Sequence, residues 1–138
     1  MKQITILFLL IAQVTFAQNS FFNKVTAKNI GPTIMSGRVV DVAVNPKNPT
    51  EFYVAYASGG LWYTNNNGTS FEPVMDSAET INCGSVSVDW TSGTIWVGTG
   101  EVNSSRSSYA GVGVLKSSDK GKTWQNLGLN DSHHISRI

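Results

Sequence analysis

Thr64-Asn65-Asn66-Asn67-Gly68-Thr69-Ser70-Phe71 and Ser117-Ser118-Asp119-Lys120-Gly121-Lys122-Thr123-Trp124 are two copies of one pattern, set 53 residues apart. Each copy reads hydroxyl, any residue, Asp or Asn, any residue, Gly, any residue, hydroxyl, aromatic. An Asp or Asn side chain accepts backbone N–H bonds two residues on, and glycine supplies the positive φ that a tight turn needs. The aromatic residue then packs as an apolar lid on the turn. Asp119 is accordingly assigned to architecture: the pattern recurs, whereas a catalytic acid need occur only once. The structural set is Thr64, Asn66, Gly68 and Phe71 in the first copy, and Ser117, Asp119, Gly121 and Trp124 in the second.

The repeat extends well beyond the turn. Val40, Val42 and Val44, then Asn45-Pro46, Phe52-Tyr53-Val54 and Gly60-Leu61-Trp62 precede the first copy. Val86 and Val88, then Asp89-Trp90, Ile95-Trp96-Val97 and Gly113-Val114-Leu115 precede the second. A period of roughly 50 residues with four short strand signals in each unit is the sequence form of a propeller blade. Strands are expected at 38–44, 51–57, 60–64 and 70–74 in the first blade, and at 84–90, 94–98, 112–117 and 123–127 in the second. A short turn is expected at 76–80, and an insertion at 101–110 separates the second and third strands of blade two. The fold class is thus all-β: two four-stranded blades with box turns, the N-terminal fragment of a larger β-propeller. The expected divisions are a signal peptide at 1–17, a lead-in at 18–36, blade one at 37–80, blade two at 81–132 and the start of a truncated third blade at 133–138. On this reading the faces carrying Val86, Val88, Trp96 and Trp124 require a third blade.

The eight-residue pattern resembles the Asp-box, or BNR repeat, of sialidase-like and sortilin-like β-propellers. Ile30-Gly31-Pro32, Ser36-Gly37-Arg38-Val39, Asn45-Pro46-Lys47-Asn48-Pro49, Ser58-Gly59-Gly60-Leu61-Trp62 and Gly98-Thr99-Gly100-Glu101 extend the likeness. Together they resemble exported bacterial propellers of the sortilin N-terminal-domain-like, glycosyl hydrolase-like type, over about residues 28 to 138. The resemblance implies a propeller whose box turns lie away from the ligand site. The region also resembles xyloglucan-cleaving tandem-propeller enzymes, in which a catalytic Asp precedes the Gly-Gly of blade one. Ser58 stands at that position here, and a serine cannot act as one of the two carboxylates of the usual glycosidase mechanism.

Lys2, the apolar run 4–12 and Thr15-Phe16-Ala17 form a signal peptide with cleavage after Ala17, which implies a secreted, periplasmic or cell-surface protein with no membrane span once cleaved. Charged residues make up 14% of the chain and the net charge is +1, so it carries no electrostatic footprint for nucleic acid. No cofactor is expected. No metal site is expected either, because the adjacent His133-His134 lacks further ligands at suitable spacing. Cys83 reads as a buried, inert thiol.

Strand alternation places the turns after strands one and three at one end of the blades, with the box. The turns after strands two and four lie at the other end, around the channel mouth. The candidate ligand-binding residues gather at that mouth: Arg38, Ser58, Glu101, Arg106, Tyr109 and Arg137. Arg38 and Arg137, at equivalent blade starts, either hold an anion by bidentate bonds or bind carbonyls or a neighbouring carboxylate such as Asp41 or Glu101. The insertion mixes a carboxylate, a guanidinium, a phenol and hydroxyls, a set that suits a sugar or a peptide and equally a solvated loop. Glu101 is the single catalytic candidate. The expected function is an exported binding or scaffold module recognising a peptide, protein or glycan at the channel face. The alternative is a glycoside hydrolase whose remaining catalytic residues lie in the missing blades.

Overall fold

The alternating apolar runs form eight strands in two antiparallel meanders. The structure, a computed structural model, describes residues 37–103 and 108–138. The expected signal peptide, lead-in and Arg106 lie outside the described residues. The first sheet has the order β1 (Val39–Val44), β2 (Phe52–Tyr56), β3 (Gly60–Thr64) and β4 (Glu72–Pro73). The second repeats it as β5 (Cys83–Asp89), β6 (Thr94–Thr99), β7 (Val114–Ser117) and β8 (Gln125–Asn126). A turn closes at Asp76-Ser77, where Ala78 N donates to Met75 O at 3.1 Å.

The two registers superimpose. Val42 pairs with Val54 and Val54 with Trp62 in the first sheet; Val86 pairs with Val97 and Val97 with Leu115 in the second. Each innermost strand carries a bulge at the same place, between Val39 and Asp41 and between Cys83 and Ser85. A bulge frees backbone groups from the ladder. Asp41 uses this: one carboxylate oxygen accepts from Val42 N at 2.8 Å and the other from Val86 N at 2.9 Å, which fixes β1 against β5.

A single apolar core joins the sheets. Tyr53, Ala55, Leu61 and Met75 of the first unit pack with Cys83, Val86, Ile95, Val97 and Leu115 of the second. Val88 and Trp124 pack against the same cluster. This corrects the expectation that Val86, Val88 and Trp124 await a third blade: they face the first sheet. Trp96 alternates with Ile95 and Val97 and therefore lies on the opposite face, with Lys116 Nζ 5.9 Å from its ring. Cys83 is fully buried, its thiol pushed up to about 12 by desolvation.

The fourth strands are shorter than expected, two residues each. Their leading residues are consumed in closing the box turns. Beyond the short ladders, single bonds continue the pairing, from Val74 N to Leu61 O at 3.0 Å and from Leu127 N to Val114 O at 2.8 Å.

Candidate functional site

At the end opposite the box turns, the loop after each second strand returns against the start of its own sheet. Ala57 N donates to Arg38 O at 2.8 Å, and Gly100 N donates to Asn82 O at 3.0 Å. This matched pair makes Ser58 and Glu101 structural equivalents. Ser58 Oγ lies so close to Gly37 that a Cβ built there would sit 2.5 Å from it.

Glu101 is 1% exposed. Its Oε1 accepts from Arg38 Nε at 2.6 Å and also from Arg38 Nη2, so the guanidinium of the first sheet is committed to the carboxylate of the second. The Arg38 side chain remains 47% exposed while that of Glu101 is wholly covered. Glu101 Oε2 is buried with no hydrogen-bond partner among the described residues. One carboxylate oxygen is thus engaged by Arg38, and the other is sealed from solvent without a partner among the described residues.

Beside this pair Glu101 N donates to Tyr109 O at 2.9 Å. Asn82 Nδ2 donates to Ala110 O at 3.0 Å. The Tyr109 side chain is exposed on the rim. Arg137 is exposed as well, in a segment held to the second sheet where Ile135 N donates to Thr99 O at 3.1 Å. The structure therefore brings Arg38 and Glu101 into one bonded group, with Ser58 Oγ against Gly37 beside Arg38 and the Tyr109 backbone closing over Glu101. Among the described residues, no group of three or more His, Cys, Asp or Glu side chains is placed to hold a metal ion. No helix among them is long and apolar enough to cross a membrane.

The box residues are at the other end, engaged in their own turns. Ser117 Oγ accepts from Gly121 N at 2.8 Å and donates to Asp119 Oδ1 at 2.8 Å. Asp119 in turn accepts from Thr123 N at 2.9 Å and from Thr123 Oγ1 at 2.6 Å. The Thr123 hydroxyl, and after it the Thr123 N–H and the Ser117 hydroxyl, hold the Asp119 carboxyl down at about 2. In the first copy Thr64 Oγ1 accepts from Gly68 N at 3.0 Å, and Asn66 Oδ1 accepts from Ser70 N at 3.0 Å.

One cluster escaped the sequence reading: Glu51, Tyr53, Trp90 and Lys120, between the sheets at the box end. Its signal was present in the aromatic residues that interrupt the aliphatic pattern and in a lysine at a free position of the box.

No family model matches the chain, and no curated protein matches it. Among solved structures it is similar to the GH74 enzyme of Niastella koreensis, at 23% identity and a TM-score of 0.52, over 70% of this chain and 14% of that one. It is also similar to an ancestral GH74 enzyme, at 22% identity and a TM-score of 0.50, over 72% and 14%. The GH74 xyloglucanase of Xanthomonas campestris matches at 18% identity and a TM-score of 0.45, over 64% and 15%. The chain thus spans about a seventh of the length of these structures. The likeness is one of fold, and it makes the two sheets blades of the β-propeller class.

Proposed function

We infer that these two blades belong to an exported propeller protein that recognises a glycan at the channel mouth and holds it without cleaving it there. The observation that carries this reading is the state of Glu101, a buried carboxylate bonded to Arg38 of the neighbouring blade. Glycoside hydrolysis needs two carboxylates flanking the scissile bond, one free to donate or accept a proton and one to attack or activate water. Glu101 is buried and its Oε1 is already engaged by Arg38, which leaves it badly placed for either task. The equivalent position in blade one is a serine. What remains is a mouth of mixed recognition groups: the exposed part of Arg38, the Ser58 hydroxyl and the Tyr109 ring.

The fold relatives are glycoside hydrolase family members by their names, which favours a glycan over a peptide at this mouth. The same observation supports a second reading, a hydrolase whose acid and base are supplied elsewhere in a longer chain. Titrating the full-length protein with a neutral gluco-oligosaccharide, by calorimetry and by release of reducing ends, separates the two. Binding weakened by Tyr109→Ala without release of reducing ends is the expected outcome. Turnover lost in Glu101→Gln at unchanged stability would contradict this assignment of Glu101.

A further inference from the structure

At the box end the two blades part to leave a cleft of two adjoining hollows that share Tyr53 and Lys120, the larger about 330 Å³. The smaller, about 140 Å³, is the one lined by Glu51 and Trp90; it is below the roughly 300–1,000 Å³ of drug-sized sites and suits a single ring at most. Among the described residues both blades line the cleft. Tyr53 is 4% exposed, with its ring 4.8 Å from that of Tyr63 and 5.5 Å from that of Trp90. Its position is therefore fixed by packing, yet its hydroxyl hydrogen-bonds to no described residue. The hydroxyl is not sealed in with the ring: it opens on the cleft, where a ligand or water can reach it.

The neighbouring polar groups are equally prearranged. Glu51 accepts from Tyr63 OH at 2.6 Å and from Asn45 Nδ2 at 2.7 Å, one bond to each oxygen, and each oxygen retains a further lone pair. Lys120 lies at the left-handed position of the second box, φ 61°, and its stem crosses the Gly93 turn, where a Cβ would meet Lys120 Cε at 3.4 Å. Its ammonium forms no ion pair among the described residues. Glu51 and Glu72 oppose Lys120 and Lys122 along the cleft, so the charges cancel and neither an anion nor a cation is selected.

Flat aromatic walls combined with both donors and acceptors at zero net charge suit a neutral polyhydroxylated ring. We propose that this cleft between the two blades binds a pyranose of a neutral glycan, stacked on Trp90 and hydrogen-bonded by Tyr53, Glu51 and Lys120. The site shares the ligand class of the mouth but none of its residues, so each fails or stands alone.

The test uses the full-length protein and cellotetraose, followed by the indole N–H resonance of Trp90, assigned with Trp90→Phe. A saturable shift is expected. Tyr53→Phe, which keeps the ring stack, and Lys120→Asn, which tolerates the left-handed turn, should each weaken it by a factor of about five, the loss of one hydrogen bond. Tyr109→Ala at the mouth should weaken only binding that the Trp90 signal does not report. A Trp90 resonance that stays fixed in folded protein overturns the proposal, as does a shift insensitive to both substitutions. A shift produced by tetraglycine and not by the sugar overturns it in favour of a peptide.

Discussion

The two box turns share a skeleton and differ in what stands behind them. In blade one the turn is bonded within its own sheet: Asn67 N donates to Thr50 O at 2.9 Å, and Phe71 meets Phe52 edge to face at 6.2 Å. In blade two the turn also reaches the preceding blade. Trp124 Nε1 donates to Val74 O at 2.9 Å, and Ser77 Oγ of blade one donates to Lys122 O at 2.9 Å. Both turns hold two successive residues at positive φ, Asn67 and Gly68 in one, Lys120 and Gly121 in the other. A motif that closes a hairpin in one blade thus serves in the next as a clamp between blades.

The sharpest way to break this comparison is to fill the two glycines. A Cβ on Gly121 would lie 2.5 Å from Val74 O and 2.6 Å from Val74 Cβ, whereas one on Gly68 would make ordinary contacts with the rings of Phe71 at 3.5 Å and Phe52 at 3.8 Å. Gly121→Val combines backbone strain with overpacking and is expected to cost about 3–5 kcal/mol, against about 1–3 for Gly68→Val from strain alone. Chemical denaturation of the full-length chain checks this. Equal costs would show that the second box is no more a clamp than the first.

The lids come next. Trp124→Phe keeps the apolar lid but removes the bond to Val74 O, an expected loss of about 1 kcal/mol, with Trp124→Ala losing more. Phe71→Leu, in a lid with no such bond, should cost less than Trp124→Ala.

The smallest effect is one of acid stability. The folded state holds the Asp119 carboxyl at about 2, below the roughly 3.9 of a free aspartate, so its contribution is present above about pH 4 and is lost as pH falls through about 2. The melting-temperature advantage of the parent over Asp119→Asn should therefore shrink between those values. Asn66, uncharged at the same place in blade one, gives no such dependence, and Asn66→Ala should lower the melting temperature by the same amount at every pH.

Much of this architecture was legible in the chain. The third strand of blade one runs from Gly60 to Thr64 as read, because a glycine and a box hydroxyl mark its two ends. The fourth strands were overread because Ser70-Phe71 and Thr123-Trp124 satisfy strand preference yet serve the turn. The direction in which Val86, Val88 and Trp124 face was misjudged: alternation sorts a strand into two faces but does not say which one meets which neighbour. The bond from Trp124 to Val74 spans 50 residues and leaves no local trace. At the mouth, the candidates were placed at one end by strand parity alone. The equivalence of Ser58 and Glu101 was hidden by the insertion, and the choice of Glu101 as partner to Arg38 depended on three-dimensional register.

The mouth supplies the most direct measurement, a double-substitution cycle on Arg38 and Glu101 in the full-length chain, followed by denaturation and by release of reducing ends from a gluco-oligosaccharide. Arg38→Met leaves a buried carboxylate unpaired and is predicted to cost about 3 kcal/mol, toward the low end for a broken buried pair because the guanidinium is half-exposed. Glu101→Met leaves a cation that water can reach and should cost less. The double variant should fall short of the sum by about 1–3 kcal/mol. Additive losses, together with turnover abolished by Glu101→Gln at full stability, would make Glu101 a reacting group and contradict its role as a staple between blades.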